Sequence, residues 1–277
     1  MEELKVKAPA KINLGLHVVS KRDDGYHNIE TIFYPIKLYD ILTFKKTSSF
    51  RFSSDSKELS KSSDNLIIKA KDLLEEETKL KLKVHIHLEK NIPIGGGLGG
   101  GSSDATITLI SLNKFFSLKT SKERLKELAF HLGSDAPFFL NPKTSYASSR
   151  GEKLERKKLI INYPLLIINP GIHISTKWAY SIITPKTPTF NLKDLEQKNL
   201  NAPHNLSDIL RNDFEEIVFK KYPAIKKLKE ELNNSSALFV LMSGSGSTMF
   251  AVFENKTLAE KVMNKFKSKY FSFLQNS

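Results

Sequence analysis

The residues best suited to chemistry are six glycines that fall within positions 95–101, in the run Pro93-Ile-Gly-Gly-Gly-Leu-Gly-Gly-Gly-Ser-Ser-Asp104. Glycine loses more backbone entropy on folding than any other residue, so this cluster is unfavourable unless bare backbone is needed. A site that binds an anion needs bare backbone, because N–H groups that no side chain shields can surround a phosphate. The run therefore predicts a phosphate-binding loop.

The segments on either side of the run are those that such a loop requires. Before it, apolar residues alternate with polar ones from Leu82 to Leu88, which predicts a half-buried strand. After it, residues 105–116 predict an apolar-rich helix, and Asp104 is expected in the first turn, where a carboxylate suits the helix dipole. A strand, a glycine loop and a helix N-terminus in this order are an arrangement that binds phosphate.

A flexible glycine–serine linker is the alternative interpretation of this run. We favour the phosphate loop because the run joins a strand to a helix with little polar spacer. It is not a Walker-type loop, since no Gly-Lys-Ser/Thr follows it. The Gly-x-Gly-x-x-Gly match at Gly95, Gly97 and Gly100 is weak, because clustered glycines produce it almost automatically.

Three smaller clusters carry polar or aromatic side chains. Lys11 and Asn13 are two apart, so they share one face of a strand, although they could also form an ordinary strand edge. Tyr26 and His27 follow an Asp-Gly turn signal and could serve the turn or contact a planar base. Asp135 either caps the next turn or is a functional carboxylate on a constrained loop.

Composition excludes several classes of protein. The net charge of +13 comes from lysines spread along the chain, without an RNP-like box or zinc-finger spacing, so a solvated surface is favoured over nucleic-acid binding. The chain shows no leader and no apolar run near the roughly 20 residues that span a bilayer, so we expect a cytoplasmic protein without a membrane partner. The absence of cysteine excludes disulfides and thiolate catalysis.

The remaining chain interleaves predicted strands with predicted helices, which indicates an α+β (mixed α/β) fold. The strands are expected at 4–20, 29–46, 164–168, 237–242 and 248–253, and the helices at 65–76, 120–132, 213–233 and 257–267. Loops or short edge strands are expected at 47–63, and loops at 184–205 and 243–247. Thr120-Ser-Lys-Glu123 predicts a capping box, and Gly133 the end of that helix.

Together these motifs resemble the GHMP kinase superfamily. They occur in the family's order from residue 9 to residue 250, which covers nearly the whole chain. The matching segments are Pro9-Ala-Lys-Ile-Asn-Leu14, Asp24-Gly-Tyr-His27, the glycine run, Leu132-Gly-Ser-Asp-Ala-Pro-Phe-Phe139 and Ser243-Gly-Ser-Gly-Ser-Thr-Met-Phe250. The first two resemble the branch that phosphorylates a cytidine-linked methylerythritol.

The resemblance implies transfer of the ATP γ-phosphoryl group to the 2-hydroxyl of that substrate, on the non-mevalonate route to isoprenoid precursors. It also implies a two-domain fold with the site in the cleft between an ATP-binding domain (1–157) and a substrate-binding domain (158–277). A composition shift near 155–162 sets this boundary. Mg²⁺ is expected with ATP. The sequence identifies no set of metal ligands, and Ser103 is the one candidate because it lies at the end of the loop.

The resemblance also implies roles for individual residues. Lys11 and Asp135 match the catalytic pair. The ATP-binding positions are Pro93, Ile94, Gly95, Gly96, Gly97, Leu98, Gly99, Gly100, Gly101, Ser102 and Ser103, with Asn65 and Leu66 at the adenine. The substrate-binding positions are Asn13, Tyr26, His27, Thr176 and Tyr180.

The residues themselves are consistent with this chemistry, since phosphoryl transfer needs positioning and charge neutralisation more than covalent groups. A carboxylate can accept the alcohol's proton, and a lysine can keep that carboxylate ionised. His85 and His87, although spaced like a metal pair, are interpreted as polar residues on an open strand face. Two segments depart from the family pattern: 141–150 lacks its glycines, and 271–277 is a poor version of its final strand.

Two rival functions stay open at this point. A GHMP kinase for mevalonate, homoserine or a sugar would have no use for the Tyr26–His27 pair. A basic RNA-binding protein that has lost catalysis would not need Lys11 and Asp135, and its binding would depend steeply on salt.

Overall fold

The computed structural model describes residues 3–60 and 65–276, and this part of the chain forms ten strands, ten α-helices and three 3₁₀ helices. The mixture confirms the α+β class. The strands are β1 (Glu3–Lys21), β2 (His27–Lys46), β3 (Arg51–Ser54), β4 (Val84–Glu89), β5 (Ser145–Ser149), β6 (Lys153–Arg156), β7 (Leu165–Asn169), β8 (Ala237–Met242), β9 (Met249–Phe253) and β10 (Phe271–Gln275). The α-helices are α1 (Lys57–Ser60), α2 (Leu66–Thr78), α3 (Gly100–Phe115), α4 (Lys122–Leu132), α5 (Thr176–Ile182), α6 (Gln197–Leu200), α7 (Leu206–Ile209), α8 (Phe214–Lys221), α9 (Pro223–Asn233) and α10 (Lys256–Phe266). The 3₁₀ helices span Ala136–Leu140, Leu192–Asp194 and Pro203–Asn205.

The backbone divides into two compact units, and β1 and β2 contribute residues to both. The first unit comprises Met1–Ala10, Lys37–Ile92 and Gly99–Pro142. Its sheet places β4 between β3, which is parallel to it, and the second half of β2, which is antiparallel. The apolar side chains of β4 are fully buried against α2, α3 and α4, because alternate strand residues point to one face. This confirms the strand predicted before the glycine run.

The second unit comprises Lys11–Ile36, Pro93–Leu98 and Lys143–Ser277. It contains an antiparallel four-stranded sheet in the order β10-β7-β9-β8, and a smaller set in which the first half of β2 pairs with β5 and β5 with β6. Every residue of β7 and β9 is buried, and apolar side chains of α5, α8, α9 and α10 complete the core. Because both faces of these strands are covered, they read as continuous apolar runs.

The helix after the glycine run begins earlier than predicted. α3 starts at Gly100, and its N-cap is Gly99, whose φ of 71° lies in the left-handed region. Gly100 to Ser103 are therefore helical, and Asp104 lies in the second turn rather than the first, so the expected dipole role is wrong. The reason is that glycine alone supplies the positive φ that this entry into the helix uses.

Two other helix boundaries also differ. The N-cap of α4 is Ser121, whose Oγ accepts from the Arg124 amide at 3.1 Å, so the capping box predicted at Thr120 is wrong. The third helical residue is Arg124, whose guanidinium has no acceptor to complete such a box. The predicted helix 213–233 is two helices, because Pro223 forces Tyr222 out of the helical region (ψ 75°). Gly133 does end α4, as predicted.

The segments with weak patterns contain short elements. In 47–63, β3 is the predicted edge strand and α1 follows it, while residues 61–63 lie outside the described residues. The segment 184–205 contains α6 and two of the 3₁₀ helices. The chain's final segment forms β10, which pairs antiparallel with β7. Among the described helices, none combines the length and the apolar character that a membrane crossing requires.

Candidate functional site

In the second unit, Lys11 and Asn13 lie on the same face of β1, as their spacing predicts. Both side chains are almost completely buried. The Lys11 ammonium donates to Asn13 Oδ1 at 2.6 Å and to the Gly97 carbonyl at 3.2 Å. Asn13 Nδ2 donates in turn to Thr31 Oγ1 at 2.9 Å, which fixes the amide so that its oxygen faces the lysine. The lysine is thus a buried, oriented cation beside the glycine run.

The first half of the glycine run, 93–98, turns its carbonyl groups toward the protein. The Gly96 carbonyl accepts from the Thr248 amide (3.3 Å), that of Gly97 from Ser243 Oγ (3.0 Å), and that of Leu98 from the Lys11 amide (2.9 Å). In a trans peptide the next N–H points the opposite way. The amides of Gly97 and Leu98 therefore point away from these partners, and among the described residues they have no hydrogen-bond acceptor. This geometry suits an anion.

Two glycines of the run are required by close packing as well as by the expected anion. A Cβ at Gly96 would lie 2.6 Å from Asn169 Nδ2 and 2.9 Å from Thr248 Oγ1. A Cβ at Gly97, where φ is +77°, would collide with the Ser243 carbonyl. The second small-residue loop, predicted only as a connection, is thus the surface on which the first loop lies.

In the first unit, the run continues into α3 beside the start of α2. Asn65 is the N-cap of α2, and its Oδ1 accepts from the Ile67 amide at 2.9 Å. A Cβ at Gly101 would lie 3.5 Å from Leu66 Cδ1, so the two predicted adenine residues adjoin the first turn of α3. Ser103 lies in the first turn of α3, where its Oγ is buried and has no hydrogen-bond partner among the described residues.

Asp135 lies in the same unit, immediately before the 3₁₀ helix Ala136–Leu140. Its side chain makes no capping hydrogen bond to that helix within the described structure, so capping does not account for this aspartate. The loop is fixed to α3 because Thr106 Oγ1 donates to the Ala136 carbonyl at 2.9 Å. Lys11 and Asp135 belong to different compact units, so their pairing stays a prediction.

Three of the predicted substrate residues, His27, Tyr180 and Thr176, make side-chain contacts within the second unit. The His27 ring stacks on the Tyr180 ring with centroids 5.4 Å apart and planes 29° apart. Burial, with a smaller contribution from Lys21, lowers the pKa of His27, which favours a neutral ring near pH 7. Thr176 Oγ1 lies 3.0 Å from Ser245 Oγ, so this residue also adjoins the Ser243–Ser247 loop.

Tyr26 is half exposed, and the structure does not stack it on the other two rings. Instead the Arg150 guanidinium lies over it, with Cζ 3.4 Å from the ring centroid. Arg22 bonds both Asp24 carboxylate oxygens (3.1 Å each) and Ser149 Oγ (3.3 Å), which joins the turn to the end of β5. Arg150 was missed by sequence reasoning, although it ends the segment 141–150 that departs from the family pattern.

The histidine pair on β4 has an ordinary structural role. Ser53 Oγ lies 2.8 Å from both His85 Nε2 and His87 Nδ1, and both rings are half-buried on the sheet face. The part of the chain that the structure describes contains no cluster of three or more histidine or acidic side chains able to bind a metal ion. The hydrogen-bond contacts to Ser53 agree with the interpretation of these histidines as polar residues on the sheet face.

Comparisons with known proteins identify the family to which this chain belongs. The chain matches the model of the GHMP kinases N terminal domain over residues 65–142 and that of the GHMP kinases C terminal over 191–272. These matches, with the relatives below, show that the chain belongs to the GHMP kinase family, whose members transfer phosphate from ATP to small molecules.

Individual relatives and solved structures show which GHMP kinases this chain resembles in sequence and fold. The 4-diphosphocytidyl-2-C-methyl-D-erythritol kinase of Prosthecochloris aestuarii is 40% identical over 98% of this chain and 96% of its own. A crystal structure of 4-(cytidine 5'-diphospho)-2C-methyl-D-erythritol kinase is 31% identical, with a TM-score of 0.83 over 98% of both chains. Homoserine kinase from Cytophaga hutchinsonii has a TM-score of 0.67 over 99% and 94% of the two chains, but at 18% identity it shows only the fold.

Proposed function

We propose that the chain transfers the γ-phosphoryl group of ATP to the 2-hydroxyl of 4-diphosphocytidyl-2-C-methyl-D-erythritol. The observation that carries the choice of substrate is the 40% identity, over nearly the complete chain, to a kinase of that name. Homoserine kinase shares the fold at less than half that identity. The chemistry of the second unit agrees, because it presents aromatic rings that a sugar or a branched acid would not need.

The cytosine is assigned to the aromatic residues of the second unit. The Tyr26 ring is half exposed and has one face covered by Arg150, which leaves the opposite face for a planar base. His27 is 7% exposed and stacks on Tyr180. Its lowered pKa favours a neutral imidazole, and we assign to this form a hydrogen bond with the base edge. Stacking of a base on an aromatic ring is worth on the order of 1–3 kcal/mol in nucleic-acid complexes.

The reacting centre is assigned to Lys11 and Asp135. An alcohol is a weak nucleophile at neutral pH, so a carboxylate that accepts its proton accelerates the reaction. Asp135 is assigned this role because it is the carboxylate at the position that resembles the family's catalytic aspartate. Lys11 supplies positive charge that stabilises the ionised carboxylate and the phosphoryl oxygens. Asn13 orients the lysine through the 2.6 Å hydrogen bond.

The ATP phosphates are assigned to the glycine run, and Mg²⁺ is expected with them. The amides of Gly97 and Leu98 point away from the protein contacts of the loop, as a phosphate ligand requires. Ser103 Oγ fits a magnesium ion, since it is a buried oxygen that no described residue satisfies. Mg²⁺ retains several waters and neutralises phosphate charge, so a single protein ligand suffices. The cytoplasmic location remains a prediction from the sequence.

An ATP-consumption assay tests this function. The purified chain is offered the cytidine-linked alcohol, mevalonate and homoserine separately, with MgATP in excess. We expect turnover with the cytidine compound, at a kcat/KM far above that for the other two. Equal or greater kcat/KM with mevalonate or homoserine would overturn the substrate assignment.

A further inference from the structure

The first unit contains a buried ion triad that the chemistry above does not use. It consists of Asp40 on β2, Lys90 directly after β4, and Asp104 in the second turn of α3. The glycine run lies between Lys90 and Asp104 in the chain. We propose that Lys90 is a positioning residue for the ATP-phosphate loop, because by bridging Asp40 and Asp104 it joins the strand end that enters the loop to the helix that leaves it. The role of the loop rests on the proposed function.

The contacts of Lys90 join three separate elements. Its ammonium donates to Asp104 Oδ2 at 2.8 Å and to Asp40 Oδ2. The other oxygen of Asp40 accepts from the backbone amides of Asn91 (2.6 Å) and Ile92 (2.8 Å). The three residues that precede Pro93 are therefore all fixed to one carboxylate. One side chain connects this segment to the helix on the other side of the loop.

The burial of the triad indicates that stability alone does not explain it. The side chains of Lys90, Asp40 and Asp104 are 7%, 0% and 3% exposed. Removing charges from water is so unfavourable that apolar replacements of buried ion clusters are often neutral or stabilising. Two carboxylates share one lysine here, and Asp104 Oδ1 has no hydrogen-bond partner among the described residues. An arrangement with this disadvantage is better explained by the geometry that it imposes.

One glycine of the run is adapted to this lysine. A Cβ at Gly100 would lie 3.0 Å from Lys90 Nζ and 3.0 Å from Ile92 Cγ2, closer than nearly all real Cβ contacts. Gly100 is the first residue of α3, so the helix start lies directly against the lysine head group. A side chain at this position would separate the strand end from the helix start. Gly100 therefore leaves space for the lysine head group, which a larger residue at this position would crowd.

The chain offers a matched control for loss of a buried lysine. Lys71 on α2 is in the same unit, has the same 7% side-chain exposure, and also pairs with two carboxylates, Asp72 (2.7 Å) and Glu75 (3.2 Å). Neither carboxylate lies next to the glycine run in the chain. Asp72 is itself exposed and the Glu75 side chain is only 10% exposed, so Lys71→Met reports the effect of losing a buried, ion-paired lysine without an effect on the loop.

The experiment compares Lys90→Met with Lys71→Met. Binding of a non-hydrolysable ATP analogue with Mg²⁺ is measured by calorimetry, and KM for each substrate by steady-state kinetics. A displacement of about 1 Å in a positioned group can reduce activity by as much as ~100-fold, so we expect Lys90→Met to lower kcat/KM for ATP by roughly 10–100-fold. Analogue binding should weaken in parallel, while KM for the cytidine compound changes little. Lys71→Met should lower the melting temperature and leave the ATP parameters near wild type.

If Lys90→Met does not fold, a second pair of variants tests whether the contact between Lys90 and Asp104 positions the loop. Asp104→Asn keeps an oxygen that accepts from Lys90, whereas Asp104→Leu removes it at similar volume. We expect the asparagine variant to bind the analogue almost as the wild type does and the leucine variant to bind it weakly. A folded Lys90→Met or Asp104→Leu protein with wild-type analogue affinity would overturn the proposal. Calorimetry needs no cytidine substrate, so this outcome is distinct from a failure of the substrate assignment.

Discussion

The Lys11 ammonium donates a 2.6 Å hydrogen bond to the side-chain oxygen of Asn13, two residues along the same strand. The asparagine is itself fixed by Thr31, whose hydroxyl donates to the Gly15 carbonyl at 2.6 Å. A chain of short hydrogen bonds inside the second unit thus determines where the lysine charge lies. The predictions below ask what that charge and its surroundings do.

The first prediction concerns Asp135. Asp135→Asn preserves shape but cannot accept a proton, so kcat is expected to fall at least ~100-fold, the lower end of the range for a positioned general base. ATP affinity by calorimetry and the melting temperature should stay near wild type, because asparagine keeps the size and shape of the aspartate. A stable variant with near-normal kcat would reject the assignment.

Lys11 and Asp135 are expected to act as a unit. Lys11→Ala should also lower kcat, and the double variant should lose less than the product of the two single losses. The measurement is a double-mutant cycle on kcat, with Lys5→Ala as a control, since Lys5 lies on the same strand but is exposed and paired with Glu89. Independent, multiplicative losses would show that the two residues do not cooperate.

The aromatic pocket is expected to control affinity for the cytidine substrate. Tyr26→Ala should raise KM for the cytidine compound by about tenfold, from the 1–3 kcal/mol of one stacking contact, and leave KM for ATP near wild type. At position 180, Tyr180→Phe should be mild and Tyr180→Leu severe, because the ring stacks on His27. Tyr163→Ala is the control, as its hydroxyl donates to the Asn201 carbonyl at 3.0 Å rather than to a predicted substrate residue. Unchanged KM in Tyr26→Ala would make this residue part of a turn and no more.

Gly99 is expected to be needed for ATP binding beyond its effect on stability. Its φ of 71° means that Gly99→Val incurs left-handed backbone strain of about 1–2 kcal/mol or more. Gly171 has a φ of +72° and open space around its Cβ position, so Gly171→Val is matched in strain. Both variants should have a lower melting temperature than the wild type. Only Gly99→Val should weaken binding of the ATP analogue, measured by calorimetry. Equal binding in the two folded variants would remove the phosphate role of this glycine.

The stability of the protein should carry a pH dependence that comes from Asp104. Burial raises the pKa of Asp104 from 3.8 to about 7, with Lys90 opposing the shift and Asp40 adding to it. The folded protein therefore binds more protons than the unfolded chain between these values. The stability that this proton contributes is present below pH 3.8 and is lost as the pH rises through about 7.

Asp104→Asn removes this titration. The free energy of unfolding of the wild type, measured by urea relative to Asp104→Asn, should thus decrease as the pH rises from about 5 to about 8. Asp72→Asn, which alters an exposed carboxylate, serves as the control and should not show that trend. A difference that stays constant over this pH range would contradict the prediction, because it would mean that folding does not raise the pKa of Asp104.

Local patterns predicted most elements because the signals that form them are near in the chain. The alternation up to Leu88 predicted a strand, and the apolar residues of that strand are all buried. The strands predicted at 4–20 and 29–46 correspond to β1 and β2. Boundaries were less accurate where one residue decides them, as at Pro223 and Gly99. These positions depend on backbone torsion angles, which residue type constrains but does not determine.

The candidate site residues are predictions from the order of the motifs, whereas the contacts that support these residues could not be predicted. Arg150 covers Tyr26 from 124 positions away (150 − 26), and Ser243 bonds the Gly97 carbonyl from 146 positions away. Such partners have no signal in local periodicity, because they form only when distant segments pack. The same holds for Asn212, whose amide bonds the Met242 and Gly244 carbonyls and so supports the small-residue loop.

The sequence by itself determined the kind of chemistry: a bare-backbone loop between a strand and a helix, a lysine and an asparagine on one strand face, and an aspartate on a short loop. These follow from residue type and spacing, which no tertiary contact changes. The tertiary structure decided how that chemistry is positioned. Lys90 meets Asp40, 50 residues earlier, and Asp104 in an interior that excludes water. Ion pairing and pKa values depend on distance and solvent exposure, and the fold alone sets both.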